Sequence, residues 1–147
     1  MKFNIHKTVL RQNKASQICM LLSVFILLSS MQKISQQQTW KAPNWADTLK
    51  PSVMNKVVAA HKGKVLFEKN CSLCHGNAGK GDGIGGINLK PRPKDLTSEI
   101  VQSQSDGAIY WKITTGNAPM ASYRETLKDA ERWQLVIYIR KLKSLAK

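Results

Sequence analysis

The chain has 147 residues, room for one domain and hardly two. It carries 23 Lys plus Arg against 9 Asp plus Glu, a net charge of +14. That balance favours acidic proteins, anionic lipid or nucleic acid as partners. The few acids suggest no paired-carboxylate catalytic centre, and no Ser/His/Asp set is apparent.

Lys2, Lys7, Arg11 and Lys14 precede an almost wholly apolar run, ICMLLSVFILL, at residues 18–28. A basic start before a short apolar run reads as a secretory signal over residues 1–30. The run is shorter than the roughly 20 residues that span a bilayer. An uncleaved anchor is the other reading, with membrane association through residues 18–28. Cys19 lies inside the run and reads as apolar filler that leaves with the signal. Losing the four cations lowers the net charge from +14 to +10, and export argues against nucleic acid as the partner.

Residues 31–55 are polar, contain prolines and lack periodicity, as in an arm or linker. Trp40 and Trp45 are expected against the domain surface, because large aromatics gain most by burial. The domain proper is expected over 56–147. A first helical pattern runs from Val53 to Asn70, with Val57, Val58, Val65, Leu66 and Phe67 as its apolar side. A loop follows to Pro93; six of the nine glycines fall between 76 and 86, so backbone there can pass close to a bulky flat group. A second helix is expected over 104–115, with Ser103 and Asp106 as a capping box and Gly116 as its stop. GNAPMASY, residues 116–123, reads as a loop. The last helix starts at Thr126 to Asp129 and buries Leu135, Tyr138, Leu142 and Leu145. No strand pattern is present. The expected class is all-α.

The chemistry lies in CSLCHG, residues 71–76. A C-x-x-C pair serves in thiol–disulfide exchange, in a zinc site or in haem attachment. Exchange sites open a helix after a strand, whereas this pair follows a helix. A structural zinc needs four ligands, usually in two separated pairs. After the apolar run, His61 is the one histidine besides His75, and its spacing is wrong. A Cys71–Cys74 disulfide closes too small a loop to stabilise much. C-x-x-C-H as a c-type haem attachment site accounts for all three residues. Cys71 and Cys74 would form thioethers, and His75 would be directed at the iron. Gly76 would leave room beside the ring. Met120, late in the chain and in a Gly/Pro-punctuated loop, is the expected sixth ligand. A thioether raises the reduction potential.

With these residues in view, the chain resembles the class I c-type cytochromes, the small monohaem bacterial ones in particular, over residues 56–145. Gly63 and Phe67 stand eight and four residues before Cys71, as in that family's first helix, where a glycine permits close crossing with the last helix. Leu135 and Tyr138 match the last helix. DGAIYWKITTGNAPMASY looks like its third helix and methionine loop. The resemblance implies a cytochrome c fold of three to five helices around one covalent haem. It also implies that a proline carbonyl accepts the His75 ring N–H; Pro91 and Pro93 both qualify, with Pro93 preferred. Ala121 departs from the family, where proline often follows the methionine.

The implied function is one-electron transfer, without enzymatic activity, outside the cytoplasm. Expected partners are acidic redox proteins or a membrane respiratory complex, steered by Lys80, Lys90 and Lys94. Trp111, Ile113, Leu89, Leu96 and Tyr123 are expected to line the haem pocket. Trp111 and Tyr123 are possible donors to a propionate. Two alternatives stand beside the free carrier: a haem-containing subunit of a periplasmic oxidoreductase, and a haem ligand binder with a labile Met120.

Overall fold

In the computed structural model, residues 40–52 and 55–145 are described; the expected signal or anchor lies outside them. A compact unit begins at Trp40. Among the described residues, five α-helices follow a 3-10 turn at Asn44–Thr48: α1 Lys56–Asn70, α2 Ser72–His75, α3 Glu99–Gln102, α4 Asp106–Thr115 and α5 Asp129–Leu145. No strand occurs among the described residues, apart from an isolated bridge between Asn117 and Met120. None of these helices is long and apolar enough to cross a membrane.

The core forms where α1 crosses α5. Gly63 sits at the crossing. A Cβ there would overlap the Gln134 carbonyl oxygen and lie 2.9 Å from the Tyr138 Cβ. Only hydrogen fits, so the two backbones approach closely. One turn on, Phe67 is completely buried and packs at 5.3 Å from the Tyr138 ring. Leu135, Val136, Ile139 and Leu142 complete the inner stripe of α5.

The inner face of α1 differs from the expected one. Ala59, Ala60, Gly63 and Phe67 point inward. Val57, Val58 and Val65 are exposed, by 81%, 50% and 54%. A close crossing needs small side chains, and valine branches would hold the helices apart. The helix starts at Lys56, later than expected, because Asn55 caps it by accepting from the Val57 and Val58 N–H groups.

Before α4, the cap is Ser105, two residues after the expected Ser103. Its hydroxyl accepts from Ala108 N at 3.0 Å and donates to Asp47. The hydroxyl therefore clamps the 3-10 turn to α4. Ala46 beside it is fully buried, and a Cβ on Gly107 would strike its carbonyl. Residues 40–49 are thus part of the compact unit and not a free linker. Trp40 packs on Trp111 at 6.4 Å, with the Lys112 ammonium over its ring, while Trp45 is exposed. At α5 the start is fixed by Glu131, whose carboxylate accepts from Lys128 N at 2.7 Å, and not by Thr126. The short α3 was not evident in the sequence. Gln102 from it donates to the Leu96 and Ile139 carbonyls, tying that turn to α5.

Candidate functional site

The α1 helix ends where the cysteine motif begins. Cys71 N–H still donates to Phe67 O, and His75 N–H donates to Cys71 O at 2.8 Å. The single turn α2 therefore carries Cys71 at its cap, Cys74 and His75 together. Both cysteines are free thiols and half-buried. Burial, with Cys74 beside it, pushes the Cys71 thiol up to about 12. In this pocket the sulfur favours a neutral state, as thiol or as thioether.

Gly76 ends the turn at φ +76, and a Cβ on it would run into the Asp82 carboxylate. The reason for glycine is thus a left-handed backbone and a close side chain, beyond mere clearance at the ring. The glycine-rich loop then folds back on the motif. Gly81 N–H donates to His75 O at 2.8 Å, and Gly85 N–H to Leu73 O at 2.9 Å. Leu96 N–H donates to Gly79 O at 2.7 Å, bringing residues 94–96 alongside. Asp95 anchors this return. It accepts from the Thr97 hydroxyl at 2.7 Å and the Thr97 N–H at 2.8 Å. These bonds, the hydroxyl foremost, with Lys80 nearby, hold its carboxyl below the usual range.

The result is a fixed histidine. His75 Nδ1 lies 3.3 Å from the Lys94 carbonyl. A ring N–H donated there makes Nε2 the nitrogen with a free lone pair, the form a metal ligand needs. Burial lowers the His75 pKa below its ordinary value, favouring the neutral ring, with the Lys94 carbonyl acting the other way. The acceptor is neither Pro91 nor Pro93. Gly81 packs against the Pro93 carbonyl, where any Cβ would overlap it, so the next carbonyl along the chain meets the ring. Sequence reasoning had no handle on this, since a backbone carbonyl leaves no residue-type signature.

Met120 is half-buried, in a loop closed by two bonds with Asn117: Asn117 N–H to Met120 O at 3.0 Å, and Met120 N–H to Asn117 O at 2.9 Å. Ser122 Oγ donates to Thr114 O at 2.7 Å, and Tyr123 N–H to Ile113 O at 3.1 Å. The Tyr123 hydroxyl donates to Asn70 O at 2.7 Å, the residue before Cys71. Tyr123 is thereby occupied with the backbone rather than free for a propionate. Leu96 and Tyr123 pack on the core, and Ile113 belongs to it. Trp111 is half-buried and faces Trp40, on the side of α4 that meets the arm. The structure thus gathers Cys71, Cys74 and His75 on one turn, links them to the Met120 loop through Tyr123, and sets Trp111 against the arm.

The residues suit a haem c: two unbridged thiols spaced along one turn, an imidazole with one nitrogen held, and a thioether on a tied loop. They do not suit zinc. Among the described residues no group of three His, Cys, Asp or Glu side chains is placed to hold a metal ion between them, and His61 is exposed on the outer face of α1.

Comparison with known proteins agrees with this chemistry. Residues 58–139 match the family described as cytochrome c oxidase, cbb3-type, subunit III. The cbb3-type cytochrome c oxidase subunit CcoP of Azospirillum brasilense is 29% identical over 85 residues, 57% of this chain and 28% of that protein. A chain of the reducing HAO-like protein complex of Kuenenia stuttgartiensis is 30% identical, with a TM-score of 0.53. That match covers 64% of this chain and 46% of the other. The chain therefore spans less than half the length of either relative.

Proposed function

The chain belongs to the cytochrome c oxidase, cbb3-type, subunit III family, and from that membership we propose that it carries single electrons through one haem c bound covalently by Cys71 and Cys74. Bound there, the haem supplies a one-electron redox centre, whose potential the protein tunes by axial ligation, burial and hydrogen bonding. The chain's own residues do the rest. Cys71 and Cys74 anchor the group. His75 would ligate the iron through Nε2 while the Lys94 carbonyl holds its other nitrogen. Met120 would supply a second ligand from its tied loop. An iron held by both side chains would leave no position for a substrate, which supports a carrier rather than a catalyst.

The observation that carries the reading is the His75 constellation. A ring nitrogen held by Lys94 prepares His75 as a metal ligand directly after two free thiols on one turn; disulfide exchange has no use for the ring, and among the described residues no further side chain completes a zinc site. The test is intact-mass spectrometry of protein exported with a haem-attachment system. The mass should rise by one haem, remain so after denaturation, and fall to the bare chain in Cys71→Ser/Cys74→Ser. Bare wild-type protein, or haem lost on denaturation, would return the cysteines to other chemistry.

Work as a subunit is the form of this function favoured by the comparisons, since one relative is named as an oxidase subunit and the other belongs to a complex. The partner would be a larger redox assembly outside the cytoplasm, with residues 18–28 as signal or anchor. Its docking surface would be acidic. Lys90, Arg92 and Lys94 lie on the segment that leads back to the haem-binding turn, where the Lys94 carbonyl meets His75, and form no ion pair among the described residues. Lys80, by contrast, is held by Thr97 and Asp95.

A further inference from the structure

We infer that the Tyr123 hydroxyl is the strap that keeps Met120 in place as a ligand. The inference rests on the haem reading above and adds to it a residue that never touches iron. Two chain segments must hold their positions for six-coordination: the turn bearing Cys71, Cys74 and His75, and the loop bearing Met120. They are far apart in sequence. Among the described residues one side-chain hydrogen bond joins them, from Tyr123 Oη to the Asn70 carbonyl at 2.7 Å, across 53 residues.

Both ends of that bond are well placed. Asn70 is the last residue of α1, where carbonyls lack helical partners. Its side chain is turned back to the Leu66 carbonyl at 2.8 Å, so the Asn70 carbonyl itself is available. Cys71 follows directly. Tyr123 lies three residues after Met120, half-buried against the core. Its own N–H is tied to Ile113 O and its carbonyl accepts from Leu127 N–H, both at 3.1 Å. The Tyr123 backbone therefore cannot move away without disturbing its tie to α4. Moreover, the segment Met120-Ala121-Ser122-Tyr123 contains no proline after the methionine to stiffen it. The strap supplies that restraint from outside the loop.

Tyr123 acts as a positioning residue. Loss of its hydroxyl should loosen Met120 while leaving the haem attached and the ring packing largely intact. The experiment is an imidazole titration of the oxidised, haem-loaded full-length protein, followed at the far-red charge-transfer band of methionine-ligated ferric haem. One net hydrogen bond corresponds to about twofold to tenfold, so Tyr123→Phe should bind imidazole more tightly than the wild type by about that factor. Ser105→Ala, which loosens the distant α4 cap, should lower thermal stability yet leave imidazole affinity unchanged. Tyr123→Phe with wild-type imidazole affinity would overturn the strap, as would an equal gain in Ser105→Ala, which would mark a general loosening. A wild-type protein with covalent haem but no such band would instead overturn Met120 ligation itself, and the strap with it.

Discussion

At Gly63 the fold tolerates one hydrogen atom and no more. Gly63→Ala places a methyl into the Gln134 carbonyl, which belongs to a helix backbone that cannot step aside cheaply. Overpacking of this kind costs about 1–3 kcal/mol. The haem-loaded variant should therefore melt several degrees below the wild type, followed by the far-ultraviolet signal; an unchanged midpoint would mean that the helices have room to part. The glycine was legible in the sequence through its place eight residues before Cys71, as were Phe67 and Tyr138. The Lys94 carbonyl was not. The family resemblance pointed to a proline carbonyl, and the actual acceptor is set by how the loop folds back, which only the path of the backbone reveals.

Within α1, apolar residues occur on both sides, so periodicity alone could not tell which side is buried. β-Branching decided it: the crossing demands Ala59, Ala60 and Gly63, and the valines are left outside. Val65→Ser should accordingly change stability by no more than about 0.5 kcal/mol. Leu135→Ala on the partner helix α5, 1% exposed, should cost about 2–5 kcal/mol. Chemical denaturation of both variants checks the assignment, and a large loss at Val65 would reverse it. The 3-10 turn was equally hidden, because five residues carry no period to read. Its attachment to α4 predicts that Gly107→Ala, which strikes the Ala46 carbonyl, exposes Lys41 and Lys50 to a lysine-specific protease. Faster cleavage at both sites is expected. Unaltered cleavage would mean the arm is held elsewhere.

For the molecule as a whole, the class and the order of the main helices are legible in the amino-acid sequence itself. The C-x-x-C-H spacing is plain there too, as the pattern that covalent haem would need, and the long α5 buries one clear stripe. The basic balance is equally plain, but which cations are free is not. The structure shows Lys80 engaged and leaves Lys90 and Lys94 without carboxylate partners among the described residues. Lys90→Glu/Lys94→Glu should slow electron exchange with an acidic redox protein about tenfold at low ionic strength. The gap should close in about 1 M salt, where screening acts within roughly 3 Å. Rates that keep their size and salt dependence would put the docking face elsewhere. The backbone carbonyl of residue 94 is untouched by these changes, so the His75 contact should survive them.

Everything functional rests on the proposal that His75 and Met120 would both ligate the iron of a haem electron carrier. The visible spectrum of the oxidised protein is the measurement to make first. The wild type should display the weak far-red charge-transfer band of methionine-ligated ferric haem. Met120→Ala should abolish that band with the covalent haem retained. A wild-type spectrum with haem and no such band would contradict the claim, and an open iron that binds small ligands would become the better account.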